Sequence, residues 1–175
     1  MAVYFFTLHA YRSWSPDHHR GYVRRDEGIL PPDPEMAEAY DELARQEPVE
    51  FTKQIQDVMI AGAYDICQRR HWRLHAVAFE LSHLHLLFSW KEFIEWLEVR
   101  AKLKNLLSLF LGRMHGEQGI NWFSDGGSRK RVHDRKHFNY LIETYIPKQS
   151  EAKWYEGDPL PSIPDYILNP PKGNP

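Results

Sequence analysis

Trp72-Arg73-Leu74-His75-Ala76-Val77-Ala78-Phe79-Glu80-Leu81-Ser82-His83-Leu84-His85-Leu86-Leu87-Phe88-Ser89-Trp90 is the stretch whose reading sets the fold. Its first part, Trp72 to Phe79, alternates Trp72, Leu74, Ala76 and Ala78 against Arg73, His75 and Val77. A period of two marks a strand. A turn at Glu80-Leu81-Ser82 leads into a second strand-like run, His83 to Trp90, so the two form a hairpin. Upstream, Phe51 to Arg70 repeats Ile55, Val58, Met59 and Ile66 at helical spacing. Downstream, Glu95 to Met114 carries the stripe Leu103, Leu106, Leu107, Phe110, Leu111 and Met114, which Gly116 and Gly119 end.

The flanks complete the pattern. Val3 to Ala10 is aromatic and β-branched enough for a first strand, and Ser128 to Val132, after Gly126-Gly127, reads as a fourth. Asp134 is the expected N-cap of a last helix over Arg135 to Ile146, and Met36 to Arg45 suits a short helix with an acidic face. The order β-α-β-β-α-β followed by a helix predicts an α+β fold. It is a ferredoxin-like split βαβ unit, an antiparallel sheet with helices on one face, plus a C-terminal tyrosine-bearing helix. Residues 1–150 make one domain, within which 13–50 are a long inserted excursion with Pro, Gly, Asp and His clusters. Residues 151–175 read as a Pro/Gly-rich irregular tail.

A chain of 175 residues with 42% hydrophobic and 26% charged residues has ordinary globular usage. No apolar run approaches the roughly 18–20 residues of a membrane span, and the opening apolar stretch lacks a basic leader, so a cytoplasmic protein is expected. Cys67 is the sole cysteine, which excludes disulfides and multi-cysteine zinc sites. The net charge of −2 argues against nucleic-acid binding until its distribution is considered. Asp26 to Glu50 is acidic apart from Arg45, whereas Arg100 to Lys136 is dominated by Lys and Arg. Such asymmetry suggests one basic face.

His83 and His85 carry the chemistry. Two residues apart on a strand, they project to one side and can supply two imidazole ligands to one divalent cation. By itself the pair is a short, common pattern. A histidine-triad nucleotide hydrolase would require a third histidine at position 87, and Leu87 stands there. Tyr145 is a candidate nucleophile toward a phosphodiester, and Gln149, one helical turn on, could add a neutral oxygen ligand. Tyr140 is a rival nucleophile, although Thr144 follows it at the same spacing. Pro147, between Tyr145 and Gln149, removes a helix hydrogen bond and is expected to kink the segment.

Taken in order, these elements resemble the small single-tyrosine HUH transposases, the insertion-sequence-200-like and REP-associated family. The resemblance covers about Val3 to Gln149. It is carried by Tyr4-Phe5-Phe6-Thr7, Tyr11-Arg12-Ser13-Trp14, Trp72-Arg73-Leu74-His75-Ala76, His83-Leu84-His85-Leu86-Leu87, Leu103-Lys104, Gly127-Ser128-Arg129 and Tyr145-Ile146 with Gln149. Relatives often have Pro-Asn where this chain has Leu81-Ser82. The resemblance implies a usually dimeric catalytic domain that cuts single-stranded or hairpin-bearing DNA during transposition. It implies His83, His85 and Gln149 as ligands of Mg²⁺ or Mn²⁺, and Tyr145 as the nucleophile that forms a 5′-phosphotyrosine link. In that context Lys104, Arg113, Arg129, Lys130 and Arg131 suit phosphate contacts, and Trp14, Trp122 and Phe123 suit base stacking. The alternative is a domesticated relative that binds DNA hairpins without cutting. HUH replication or conjugation initiators are usually larger and often pair two tyrosines.

Overall fold

A computed structural model describes residues 1–24, 27–116 and 119–171. Arg25, Asp26 at the start of the acidic stretch, Glu117 within the basic stretch, and positions 172–175 of the expected tail lie outside the described residues.

Four strands, β1 (Ala2–His9), β4 (Arg73–Glu80), β5 (His83–Trp90) and β6 (Ser128–Arg131), form the centre, while β2 and β3 (Tyr22–Arg24 and Gly28–Leu30) lie in the excursion. With β7 (Lys153–Tyr155), the main sheet runs β6-β1-β5-β4-β7 and every pairing is antiparallel. The excursion hairpin β2–β3 stands apart from it. Without β7, the spatial order is fourth, first, third, second, the arrangement of a split βαβ unit. Helices α2 (Lys53–Arg69) and α3 (Trp96–His115) are the two crossovers.

Strand alternation divides the core in two. Phe6, Leu8, Val77, Phe79, Leu84, Leu86 and Phe88 face α2 and α3, meeting Met59, Ile66, Leu103, Leu107 and Phe110. The helices approach closely: a Cβ at Gly62 would sit 2.7 Å from Phe110 Cδ2. The other face presents Phe5, Ala76, Ala78 and Leu87, covered by Val132, Leu141 and Ile146. The small side chains of Ala76 and Ala78 leave room there for the C-terminal helical segment. That segment begins as α4 (Arg135–Tyr140), capped by Asp134, whose carboxylate accepts from the His137 N–H at 2.8 Å.

Three expectations are corrected. First, the alternation expected through Trp72 to Phe79 breaks at a bulge between Leu74 and Ala76. The extra residue keeps Leu74 in the same core as Val77 and Phe79, while His75 turns to the opposite face and pairs its Nε2 with Ser89 Oγ at 2.9 Å. Second, the last helix is not uniformly α. It widens to a π turn over Leu141–Tyr145 and closes as a 3₁₀ turn over Ile146–Lys148. Pro147 has no N–H to donate and its ring crowds the carbonyl four residues back; the Ile146 N–H bonds Leu141 O instead. The chain adapts by changing its winding.

Third, the segment beyond Ser150 is built into the fold. β7 pairs with the edge of β4, and α5 (Asp165–Leu168) packs on α3 and α2. Its anchors are Trp154 and Ile167, both buried. Buried Gln56 secures the start of the segment: its Nε2 donates to Phe51 O at 2.6 Å, and its Oε1 accepts from Ala152 N at 3.2 Å. Two apolar anchors and a satisfied buried amide outweigh the Pro/Gly composition.

The excursion contains β2, β3 and α1 (Pro34–Glu42) and returns beside its start. There Val49 N donates to Tyr11 O at 3.0 Å, and Arg12 pairs with Asp41.

Candidate functional site

The side chains of β1 and β5 that face away from α2 and α3 build the site. The register sets Thr7 opposite His85 and His9 opposite His83. The His83 and His85 rings lie nearly parallel, 12° apart, with centroids separated by 6.2 Å. His85 stacks on Phe5 at 5.5 Å, and the Tyr145 ring meets both Phe5 and His85 edge-on, at 5.3 and 5.6 Å. Tyr145 thus arrives at the histidine pair from the helical segment across that face. Tyr140, its rival on the same segment, is 51% exposed.

Nitrogen roles follow from the hydrogen bonds. His85 Nδ1 lies 2.9 Å from Thr7 Oγ1, and His83 Nδ1 lies 2.8 Å from Ser82 Oγ with Glu80 Oε2 at 3.5 Å. Nε2 of each ring is left as the prospective ligand atom. Burial pushes His85 down to about 4, helped by neighbouring His83 and His9 and opposed by the hydrogen bond that the ring donates to Gln149. His83 is also lowered by burial, with Glu80 opposing. Both are neutral at pH 7, the state in which imidazole binds metal. Gln149 is buried; its Nε2 donates to the Tyr145 carbonyl at 2.9 Å, and its Oε1 faces the His85 ring. Two neutral nitrogens and one neutral oxygen are donor types that suit a divalent cation. Among the described residues, no group of three or more His, Cys, Asp or Glu side chains forms such a cluster.

The Tyr145 phenol is raised, first by burial and then by Glu80 and Tyr140. It is therefore protonated at neutral pH.

Thr7, His9 and Glu80 were missed in the sequence. The alternation Phe5-Thr7-His9 places two polar side chains on one face of β1, but nothing local reveals that this face meets β5. His9 lies 4.6 Å from His83, centroid to centroid, and is lowered by burial, then by His83 and Lys104.

The five basic residues do not share one face. Lys104 Nζ donates to Ser124 O at 2.5 Å, and Arg113 Nη1 donates to Ile167 O at 2.8 Å. Both are engaged in holding backbone. On β6, Lys130 opposes Phe5 and so stands on the Tyr145 face, whereas Arg129 and Arg131 oppose Phe6 and Tyr4 on the other. Trp122 and Phe123 are buried in the core, unavailable to an unpaired base. Trp14 is 44% exposed, and its ring lies 4.0 Å from that of His18, tilted by 31°.

No family model matches the sequence, and no curated protein matches it. Among solved structures, a REP-associated tyrosine transposase bound to a REP hairpin is similar, with a TM-score of 0.45 and 12% identity. The similarity covers 83% of this chain and 64% of that one, so this chain spans just under two thirds of that structure's length. Among the described residues no helix is long and apolar enough to cross a membrane.

Proposed function

We propose that this chain is a divalent-metal-dependent, single-tyrosine endonuclease and strand transferase acting on single-stranded or hairpin-bearing DNA in transposition. The observation that carries the reading is the meeting of Tyr145 with His85 while Gln149 is tied to the Tyr145 carbonyl. Strand β5 supplies the two histidines, and the C-terminal helical segment supplies the tyrosine and the glutamine. His83 and His85 through Nε2, and Gln149 through Oε1, would hold Mg²⁺ or Mn²⁺. Such an ion, when bound, supplies charge stabilisation at the phosphoryl oxygens.

Tyr145 Oη attacks the scissile phosphorus. A Tyr–O–P bond to the 5′ phosphate forms as the P–O3′ bond breaks. The phenolic proton passes to solvent, and the leaving 3′ oxygen takes up a proton and departs as a free hydroxyl. Attack by a 3′-hydroxyl on the phosphotyrosine reverses the chemistry and joins strands. Thr7 and Ser82 hold the two rings in one orientation, and Phe5 excludes water beneath His85. Lys130 and its neighbours on β6 supply positive charge for the strand. The reading also includes a homodimer in the cytoplasm, of which sedimentation tests the first.

Incubation with Mn²⁺ and single-stranded oligonucleotides from the gene's own flanks tests the chemistry. A denaturation-resistant adduct lost in Tyr145→Phe and kept in Tyr140→Phe is the expected result. Adducts that persist in His83→Ala/His85→Ala, or that vanish only with Tyr140→Phe, would sink it. A second reading is a DNA-hairpin binder that does not cut. Tight hairpin binding without any adduct would select that reading.

A further inference from the structure

On the side of the sheet away from His85 lies a cleft of about 370 Å³ between the start of β1, the end of β5 and the start of α3. Its size falls within the range of small-molecule sites, roughly 300–1,000 Å³. Tyr4 and Trp90 form its floor, stacked at 5.1 Å and 15°. Phe93 stands on the rim with its side chain fully in solvent, at 103% relative exposure. A whole aromatic ring left in water has no packing role in the monomer.

The charge beside it is ordered. Arg129 lies over the Trp96 ring with its guanidinium carbon 3.8 Å from the centroid. Arg100 lies 5.1 Å from the same centroid and donates through Nη1 to Gly127 O at 3.0 Å. Arg131 and Lys91 line the cleft itself. Two acids also line the cleft, Glu92, which accepts from Trp72 Nε1 at 3.1 Å, and Glu95, and beyond it Glu98 pairs with Lys102 at 2.6 Å. Arginines held by an aromatic face lose less freedom when they bind a phosphate.

We infer that this cleft receives an unpaired base of a single DNA strand, with Phe93 as the stacking ring and Arg129 and Arg131 on the flanking phosphates. The inference rests on the reading that the chain handles single-stranded DNA. It adds the strand's route. All four residues of edge strand β6 are exposed, and alternation puts Lys130 on the Tyr145 face and Arg129 and Arg131 on the cleft face. A strand leaving the catalytic face crosses this basic edge and enters the cleft. Lys130 lies two inter-strand spacings from β5, roughly 10 Å, so the path from His85 to the edge is short.

The test uses the full chain and a single-stranded oligonucleotide carrying 5-iododeoxyuridine at successive positions. Photo-crosslinks are expected at 90–96, the segment that holds Phe93. Phe93→Ala is expected to weaken single-strand binding about fivefold or more, to lose those crosslinks and to leave duplex binding unchanged. Because Phe93 is exposed, its thermal melt stays that of the parent protein. Arg131→Ala is expected to weaken binding and flatten its salt dependence. Crosslinks elsewhere, or Phe93→Ala affinity within twofold of the parent, would overturn the inference. So would a Phe93→Ala variant that turns a dimer into a monomer with DNA affinity intact, which assigns the face to a second copy. Cleft crosslinks without a covalent adduct leave this inference standing while the cutting reaction fails; adducts without cleft crosslinks do the reverse.

Discussion

Gln149 donates its side-chain amide to the main-chain carbonyl of Tyr145 at 2.9 Å, and this bond joins the proposed third ligand to the proposed nucleophile. It forms despite Pro147, because the π turn before it and the 3₁₀ turn that contains it preserve the four-residue approach. The bond uses the carbonyl of Tyr145 and leaves its ring out.

Metal binding and nucleophilicity therefore separate by mutation. Gln149→Ala is expected to lower Mn²⁺ affinity tenfold or more, as loss of a supporting ligand commonly does, whereas Tyr145→Phe keeps the parent affinity. Titration calorimetry with Mn²⁺ reads both. Equal affinities for Gln149→Ala and the parent would remove Gln149 from the site.

Thr7 would act on the proposed metal only through His85. Thr7→Val leaves the buried Nδ1 without its oxygen partner, so Mn²⁺ affinity is expected to drop by about 10- to 100-fold. Folding stability should fall by about 1–3 kcal/mol. Thr7→Ser restores the oxygen and should recover most of the affinity. Failure of that rescue would point to packing of the Thr7 methyl group as the cause.

The histidine cluster sets a pH dependence on the metal-free protein. His85 is depressed from 6.5 to about 4, and His9, His75 and His83 are shifted the same way. Between those values the unfolded chain binds more protons than the folded one. Stability is therefore complete above about pH 6.5 and declines as pH falls toward 4. His85 alone accounts for up to about 3 kcal/mol of this. Urea midpoints across pH 4–8 measure the slope, and His85→Leu should flatten it. A pH-independent midpoint would contradict the buried, neutral assignment.

The C-terminal segment is expected to stabilise the whole domain. Ile167 is 1% exposed and Trp154 3%, so Ile167→Ala should cost about 2–5 kcal/mol. Removal of residues 151–175 should cost more, because it uncovers the β4 edge as well. Thermal melting of both variants provides the check. An unshifted melt for the truncated chain would show that the segment is dispensable.

Much of this was readable from local pattern. The run His83 to Trp90 coincides with β5, because its alternation, its aromatic and branched residues and its flanking turn all agree. The α3 stripe and the Asp134 cap are similarly local. The bulge at His75 was hidden, since Leu74 and Ala76 fit alternation equally well until the two sides of the sheet are known. Composition mistook the terminal segment, because two buried side chains outweigh many prolines when a groove awaits them.

The sequence by itself determined the parts: the two histidines on one side of a strand, the long amphipathic helix and the tyrosine followed by a glutamine. Only the tertiary structure decided which of them meet. Pairing of β1 with β5 brings Thr7 and His9 to the histidines, and the small Ala76 and Ala78 let the last helix deliver Tyr145 to His85. It likewise split the basic residues of β6 between two faces. Such outcomes depend on contacts between elements far apart in the chain, which are set by burial of both sheet faces and leave no local periodicity to read.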